Sequence, residues 1–129
     1  MAISEEAREV RLNWLESSRG PNPERIKIID DGFVVTQKRW PLKPRQRPLA
    51  WKDVVEIHAS IFDCYSCHPM ELRFCLSDGG GVRATELMDG YPSLLESVVQ
   101  AFPGFDRDVY DEVEGYFPGE GCRLCWRKE

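Results

Sequence analysis

Val54-Val55-Glu56-Ile57-His58-Ala59-Ser60-Ile61-Phe62 and Met70-Glu71-Leu72-Arg73-Phe74-Cys75-Leu76-Ser77 are the two stretches whose reading decides the fold. Successive side chains of a strand point to opposite faces, so a period of two separates a buried face from a wet one. In the first stretch Val55, Ile57, Ala59 and Ile61 take one face, and Glu56, His58 and Ser60 the other. In the second, Met70, Leu72, Phe74 and Leu76 stand against Glu71, Arg73, Cys75 and Ser77. Asp78-Gly79-Gly80-Gly81 turns the chain into a third run, Val82–Glu86. The pattern predicts an antiparallel meander with one buried face.

Working outward, Ile26–Asp30 and Phe33–Gln37 are β-rich runs that meet at Asp31-Gly32, a tight hairpin signal. Before them, Ser4 is a good N-cap and Glu5 and Glu6 fill a first turn. That predicts a helix over 4–16 with Ala7, Val10, Trp14 and Leu15 on one face, stopped by Ser17–Pro23. Downstream, Tyr91, Leu94, Leu95, Val98, Val99 and Phe102 form an apolar helical stripe over 92–102, opened by Pro92 and closed by Pro103-Gly104. Asp106 caps a short acidic helix over about 106–115, and Cys122–Arg127 reads as a last strand. The expected architecture is one α+β domain spanning 1–129. It has a single antiparallel sheet of five or six strands, with helix 92–102 across its apolar face and the other two helices flanking it.

A length of 129 residues suits one domain, and 42% hydrophobic with 30% charged residues suits a globular chain. No stretch approaches the ~20 apolar residues of a membrane span, so no membrane partner is expected. Met1–Glu6 has neither a basic nor an apolar leader region, so the chain is expected in the cytoplasm with its five cysteines reduced.

The net charge of −5 is segregated. Residues 38–52 carry six cations, three prolines and no acid, which leaves −11 on the remainder. Proline denies ladder donors, so this stretch reads as a polyproline-like loop. Arg39, Trp40, Lys43, Arg45, Arg47 and Trp51 form its candidate partner-contact set. Cations interleaved with aromatics can hold single-stranded nucleic acid, but the acidity elsewhere repels phosphate, so a protein partner is expected instead. The loop could also fold against the acidic helix, where residues 106–114 hold five acids and one arginine.

Cys64-Tyr65-Ser66-Cys67 and Cys122-Arg123-Leu124-Cys125 are two C-x-x-C pairs. Two such pairs can supply a tetrahedral zinc site, because one turn aims both thiolates at one ion. Two features weigh against Cys64, Cys67, Cys122 and Cys125 acting together. His68 and Trp126 stand where knuckles favour glycine, and in a regular strand Cys122 and Cys125 point to opposite faces. The alternative is dispersed, small, buried thiols. Cys64–His68 also spells a haem-attachment motif, which requires export, and a thioredoxin-like reading requires a following helix. His58 and His68 lack an adjacent nucleophile, although His68 could replace a cysteine as a metal ligand. The glycines at 79–81 lack the lysine and helix of a phosphate loop, and no acid–base dyad is assigned.

From Trp51 onward the chain resembles a group of small bacterial proteins of unassigned function. The resembling residues are Trp51, Val55–Ala59, Phe62-Asp63-Cys64-Tyr65, Leu72-Arg73-Phe74, Asp78-Gly79, Leu94-Leu95, Phe102–Phe105 and Leu124–Arg127. Strands closing onto a terminal helix are also similar to pleckstrin-homology-like half-barrels, although the extra helices depart from that pattern. The resemblance implies a fold and no catalytic residue.

With no catalytic set, the leading expectation is a non-enzymatic binding module acting through protein–protein contacts. It could neutralise a basic partner, in the manner of an immunity protein. The second reading is a zinc-stabilised domain, and the third an enzyme with an unrecognised site. No cofactor is expected apart from structural zinc under the second reading.

Overall fold

The structure, a computed structural model, describes residues 3–18, 24–37, 42–62 and 68–129. Helix α1 runs Glu5–Ser18, and its first turn is capped as the sequence predicts, with the Ala7 amide donating to Ser4 Oγ at 3.1 Å. Strands β1 (Arg25–Ile29) and β2 (Gly32–Gln37) form the hairpin at Asp31-Gly32. The stretch expected to be a polyproline-like loop instead contains strand β3 (Arg45–Ala50), paired antiparallel to β2 with Gly32 opposite Ala50. The cause is Leu49: its side chain is 3% exposed, and pairing β3 with β2 is what places it in the core. Pro48 lacks an N–H, and β3 accordingly lies at the edge of its sheet.

A 3-10 turn at Trp51–Asp53 leads into β4 (Val54–Ile61), followed by β5 (Met70–Leu76) and β6 (Gly81–Thr85). Helices α2 (Tyr91–Ala101) and α3 (Arg107–Val113) precede the last strand, β7 (Arg123–Arg127). The strands divide between two antiparallel sheets, β1-β2-β3 and β6-β5-β4-β7, where a single sheet was expected. The 3-10 turn ends one sheet, and β4 starts the other, paired with β5 and β7 rather than with β3. The chain is α+β, and among the described residues no helix is long and apolar enough to cross a membrane.

Both sheets share one core with α2 and α3. Phe33 from β2 packs against Phe74 from β5 at 5.1 Å and against Trp51 at 5.4 Å between ring centroids. Phe102, at the end of α2, continues the chain of rings to Trp51 at 5.5 Å and Trp126 at 4.6 Å. Leu94 and Val98 fill the inward stripe of α2. β1 reaches the start of α2 through a bridge in which the Ile26 amide donates to the Asp89 carbonyl at 2.7 Å. Gly90 follows at φ +94°, and a Cβ there would sit 2.5 Å from the Ile26 carbonyl oxygen, so the contact needs glycine. Asp106 caps α3 by accepting from the Val109 amide at 3.0 Å.

Candidate functional site

The outward face of β4 carries the densest set of chemical groups. β4 lies inside its sheet, between β5 and β7, so its side chains stand on a rigid element. Glu56 and His58 are two residues apart and share the wet face, while Cys75 of β5 is directly opposite Glu56 and Arg73 directly opposite His58. His58 Nε2 and Glu56 Oε1 are 3.1 Å apart, and Glu56 Oε2 accepts from Arg127 Nε at 2.8 Å. The hydrogen bond with His58, and then that from Arg127, hold the Glu56 carboxyl below its usual pKa range. One ligand atom each from Glu56, His58 and Cys75 lies within 4.8 Å of the other two. Beside this trio opens a cleft of about 460 Å³, lined by His58, Ser60, Arg73, Cys75 and Cys122 and bounded by Gly119 and Gly121.

The cysteine set read from the sequence is distributed differently. Cys125 is 3% exposed in the core, where burial pushes its thiol up to about 12. Cys122 is exposed and faces the cleft. The register shifts between Ile57↔Trp126 and His58↔Leu124, which places Cys125 in a bulge and turns it inward. With Cys122 just before β7 and Cys125 within it, the C-terminal pair is divided between surface and core. Cys64 and Cys67 lie outside the described residues.

The basic partner-contact set is also divided. Arg39 and Trp40 lie outside the described residues. Lys43 and Arg45 are exposed, whereas Arg47 is half-buried and donates from Nη2 to the Gly81 carbonyl at 3.2 Å. Trp51 is half-buried among core rings rather than presented on a loop. Among the described residues, the cations that meet Glu114 at the end of the acidic helix come from α1: Arg8 and Arg11 both pair with it.

Those contacts fix how α1 is turned. Leu15 is 1% exposed, and Arg11 reaches inward to bridge Glu86 and Glu114. Burial works against the Arg11 charge, but the two carboxylates outweigh it and hold its pKa above the ordinary arginine value. The apolar stripe is therefore divided, with Leu15 inside and Val10 at 52% and Trp14 at 60% exposure. Phe117, 75% exposed, lines a groove of about 240 Å³ with Ala7, Val10, Trp14, Ile61 and Tyr116 and with the polar Arg11, His68 and Glu114. Glu5, Glu6, Glu9 and Glu16 are exposed on the same helix.

No family model, curated protein or solved structure matches this chain. Its chemistry is therefore argued from these two surfaces. Sequence reading had Glu56, His58 and Cys75 on wet strand faces, but their convergence depends on the β4–β5 register, which the period of two leaves free. It missed the outward apolar face of α1, because a helical stripe shows which residues align and not which way they turn. The one available signal was Arg11, flanked by helix residues yet needing anionic partners if it faced inward.

Proposed function

We propose that this chain is a non-enzymatic binding module acting through protein–protein contacts, and that the outward face of α1 with Phe117 is its contact surface. The observation that carries the reading is the pair of exposed aromatics, Trp14 and Phe117, lining one groove. Contiguous apolar surface rimmed by polar groups is where partners dock, and buried aromatic anchors contribute most of the binding energy. Arg11 and Leu15 occupy the inward side of the helix, so Trp14 has no place in this chain's own core. The acids along α1 favour a basic partner, through steering and by discrimination against acidic surfaces. Such a module would neutralise a Lys- or Arg-rich surface that also offers an apolar anchor.

The test is quantitative capture from the source organism's extract on the wild-type chain and on a Trp14→Ser/Phe117→Ser variant. Both side chains are mostly exposed, and circular dichroism of the variant checks that it folds. The expected result is a basic protein retained by the wild type at low salt and weakened by at least about 30-fold in the variant, equivalent to ~2 kcal/mol of anchor energy. Equal retention on both surfaces, or retention of nothing basic, would sink the reading.

A further inference from the structure

We infer that Glu56, His58 and Cys75 form a three-ligand site for a borderline transition-metal ion such as Zn²⁺, with its fourth position open to the adjoining cleft. The three ligands include no residue of α1 and no cysteine of either C-x-x-C pair. Its geometry follows from strand arithmetic. Residues two apart on β4 project to one face, and the residue opposite Glu56 on β5 projects to that face as well. Three side chains of different chemistry are thus brought together by backbone pairing, on a strand hydrogen-bonded on both sides.

The donor set fits the ion. Zinc takes imidazole nitrogen at about 2.0–2.1 Å, thiolate at about 2.3 Å and carboxylate oxygen at about 2.0–2.2 Å, in tetrahedral array. Tetrahedral angles then put the nitrogen and oxygen donors roughly 3.3 Å apart. His58 Nε2 and Glu56 Oε1 already stand 3.1 Å apart, and all three donor atoms lie within 4.8 Å of one another. Small side-chain rotations close the site. A carboxylate and a thiolate together balance a divalent charge, and a mixed N/O/S set selects zinc or cobalt over magnesium or calcium.

The surroundings suit a ligand role as well. Arg127 donates to Glu56 Oε2, which holds the carboxylate in place and leaves Oε1 directed at His58. Arg73, across from His58, lies 3.7 Å from Glu71, which partly offsets its charge beside the site. Three protein ligands beside a cleft leave a coordination position for water or a small ligand, the arrangement of an open rather than a closed zinc site. Metal binding releases the thiol proton of Cys75 to solvent, moves the proton that His58 Nε2 shares with Glu56 to Nδ1 by way of solvent, and replaces the His58–Glu56 hydrogen bond with two coordinate bonds.

The test is titration of the full-length chain with Co²⁺ under a non-thiol reductant, following thiolate-to-cobalt charge-transfer absorption and the visible bands of tetrahedral cobalt. The expected result is about one ion per chain bound with a thiolate band. The Cys75→Ser variant loses that band, and Glu56→Gln and His58→Gln each weaken affinity more than ~100-fold, beyond what outer-shell changes cost. A Cys64→Ser/Cys67→Ser variant and a Cys122→Ser variant keep the band. Circular dichroism of each variant confirms folding, and excess Zn²⁺ bleaches the wild-type spectrum. The assignment is overturned by absence of cobalt binding, by a thiolate band that survives Cys75→Ser, or by its loss from Cys64→Ser/Cys67→Ser or Cys122→Ser.

Discussion

At Gly32 a Cβ atom would lie 1.8 Å from the Leu49 carbonyl oxygen, so the residue opposite Ala50 in the β2–β3 ladder has room only for hydrogen. The Asp31-Gly32 pair was legible as a turn, but its tighter constraint comes from β3, a strand that proline-rich sequence disguises. A single residue also shifts a face in β4. The bulge between Val54 and Glu56 buries Val54 to 1% exposure and leaves Val55 half-buried, although strict alternation places Val55 inward. The two C-terminal cysteines, one exposed and one buried, should differ in reactivity. Iodoacetamide treatment of the native protein at neutral pH, mapped by peptide mass spectrometry, should modify Cys122 and leave Cys125 unreacted until denaturant is added. The Cys125 thiol is held near 12 by burial and is sterically enclosed. Modification of both at similar rates would mean that β7 does not turn Cys125 into the core.

Among the elements, α1 shows most clearly how tertiary contacts override a local stripe. The apolar set Ala7, Val10, Trp14 and Leu15 falls on one face, yet the helix settles with Arg11 and Leu15 inward and with Val10 and Trp14 exposed. Glu86 and Glu114 are both buried carboxylates at 8% exposure, and an arginine between them offsets a desolvation cost that an aliphatic side chain would not. Arg11→Ala should therefore lower stability by about 3 kcal/mol, at the lower end for a broken buried pair. The value is at that end because Arg8 still meets Glu114 and the Met70 amide still donates to Glu86. Arg8→Ala, at a partly exposed pair, should cost less than about 1 kcal/mol. Urea unfolding of the two variants measures both, and equal losses would contradict the inward placement of Arg11. α2 and α3 were more legible, because caps, an uninterrupted stripe and closing Pro-Gly signals are all local. Their observed bounds, Tyr91–Ala101 and Arg107–Val113, lie close to the expected 92–102 and 106–115.

For the molecule as a whole, a buried pair of phenols links α2 to α3. Tyr91 Oη and Tyr110 Oη are 2.7 Å apart, and each tyrosine is 3% exposed. Burial first, and nearby negative charge after it, raises both pKa values above the ordinary phenol range. The unfolded chain surrenders those protons at about pH 10, while the folded chain retains them. Their contribution to stability is thus complete below about pH 10 and is lost as pH rises beyond it. Circular dichroism across an alkaline series should show unfolding that steepens above that point. A Tyr91→Phe/Tyr110→Phe variant, which removes both hydroxyls without leaving either unsatisfied, should unfold less steeply. Identical curves would show that the pair does not govern alkaline stability.

What the sequence determined by itself is the identity of nearly every element: strands from a period of two, helices from caps and stripes, and turns from Asp-Gly and Pro-Gly. These signals act between residues a few positions apart, so they survive without knowledge of the fold. The tertiary structure alone decided the division into two sheets, the outward turn of Trp14, and the meeting of Glu56, His58 and Cys75 on one face. Each of those depends on register and on burial shared by residues distant in the chain. Phe33 packed on Phe74 and Glu56 paired opposite Cys75 are such contacts, and no local period encodes them.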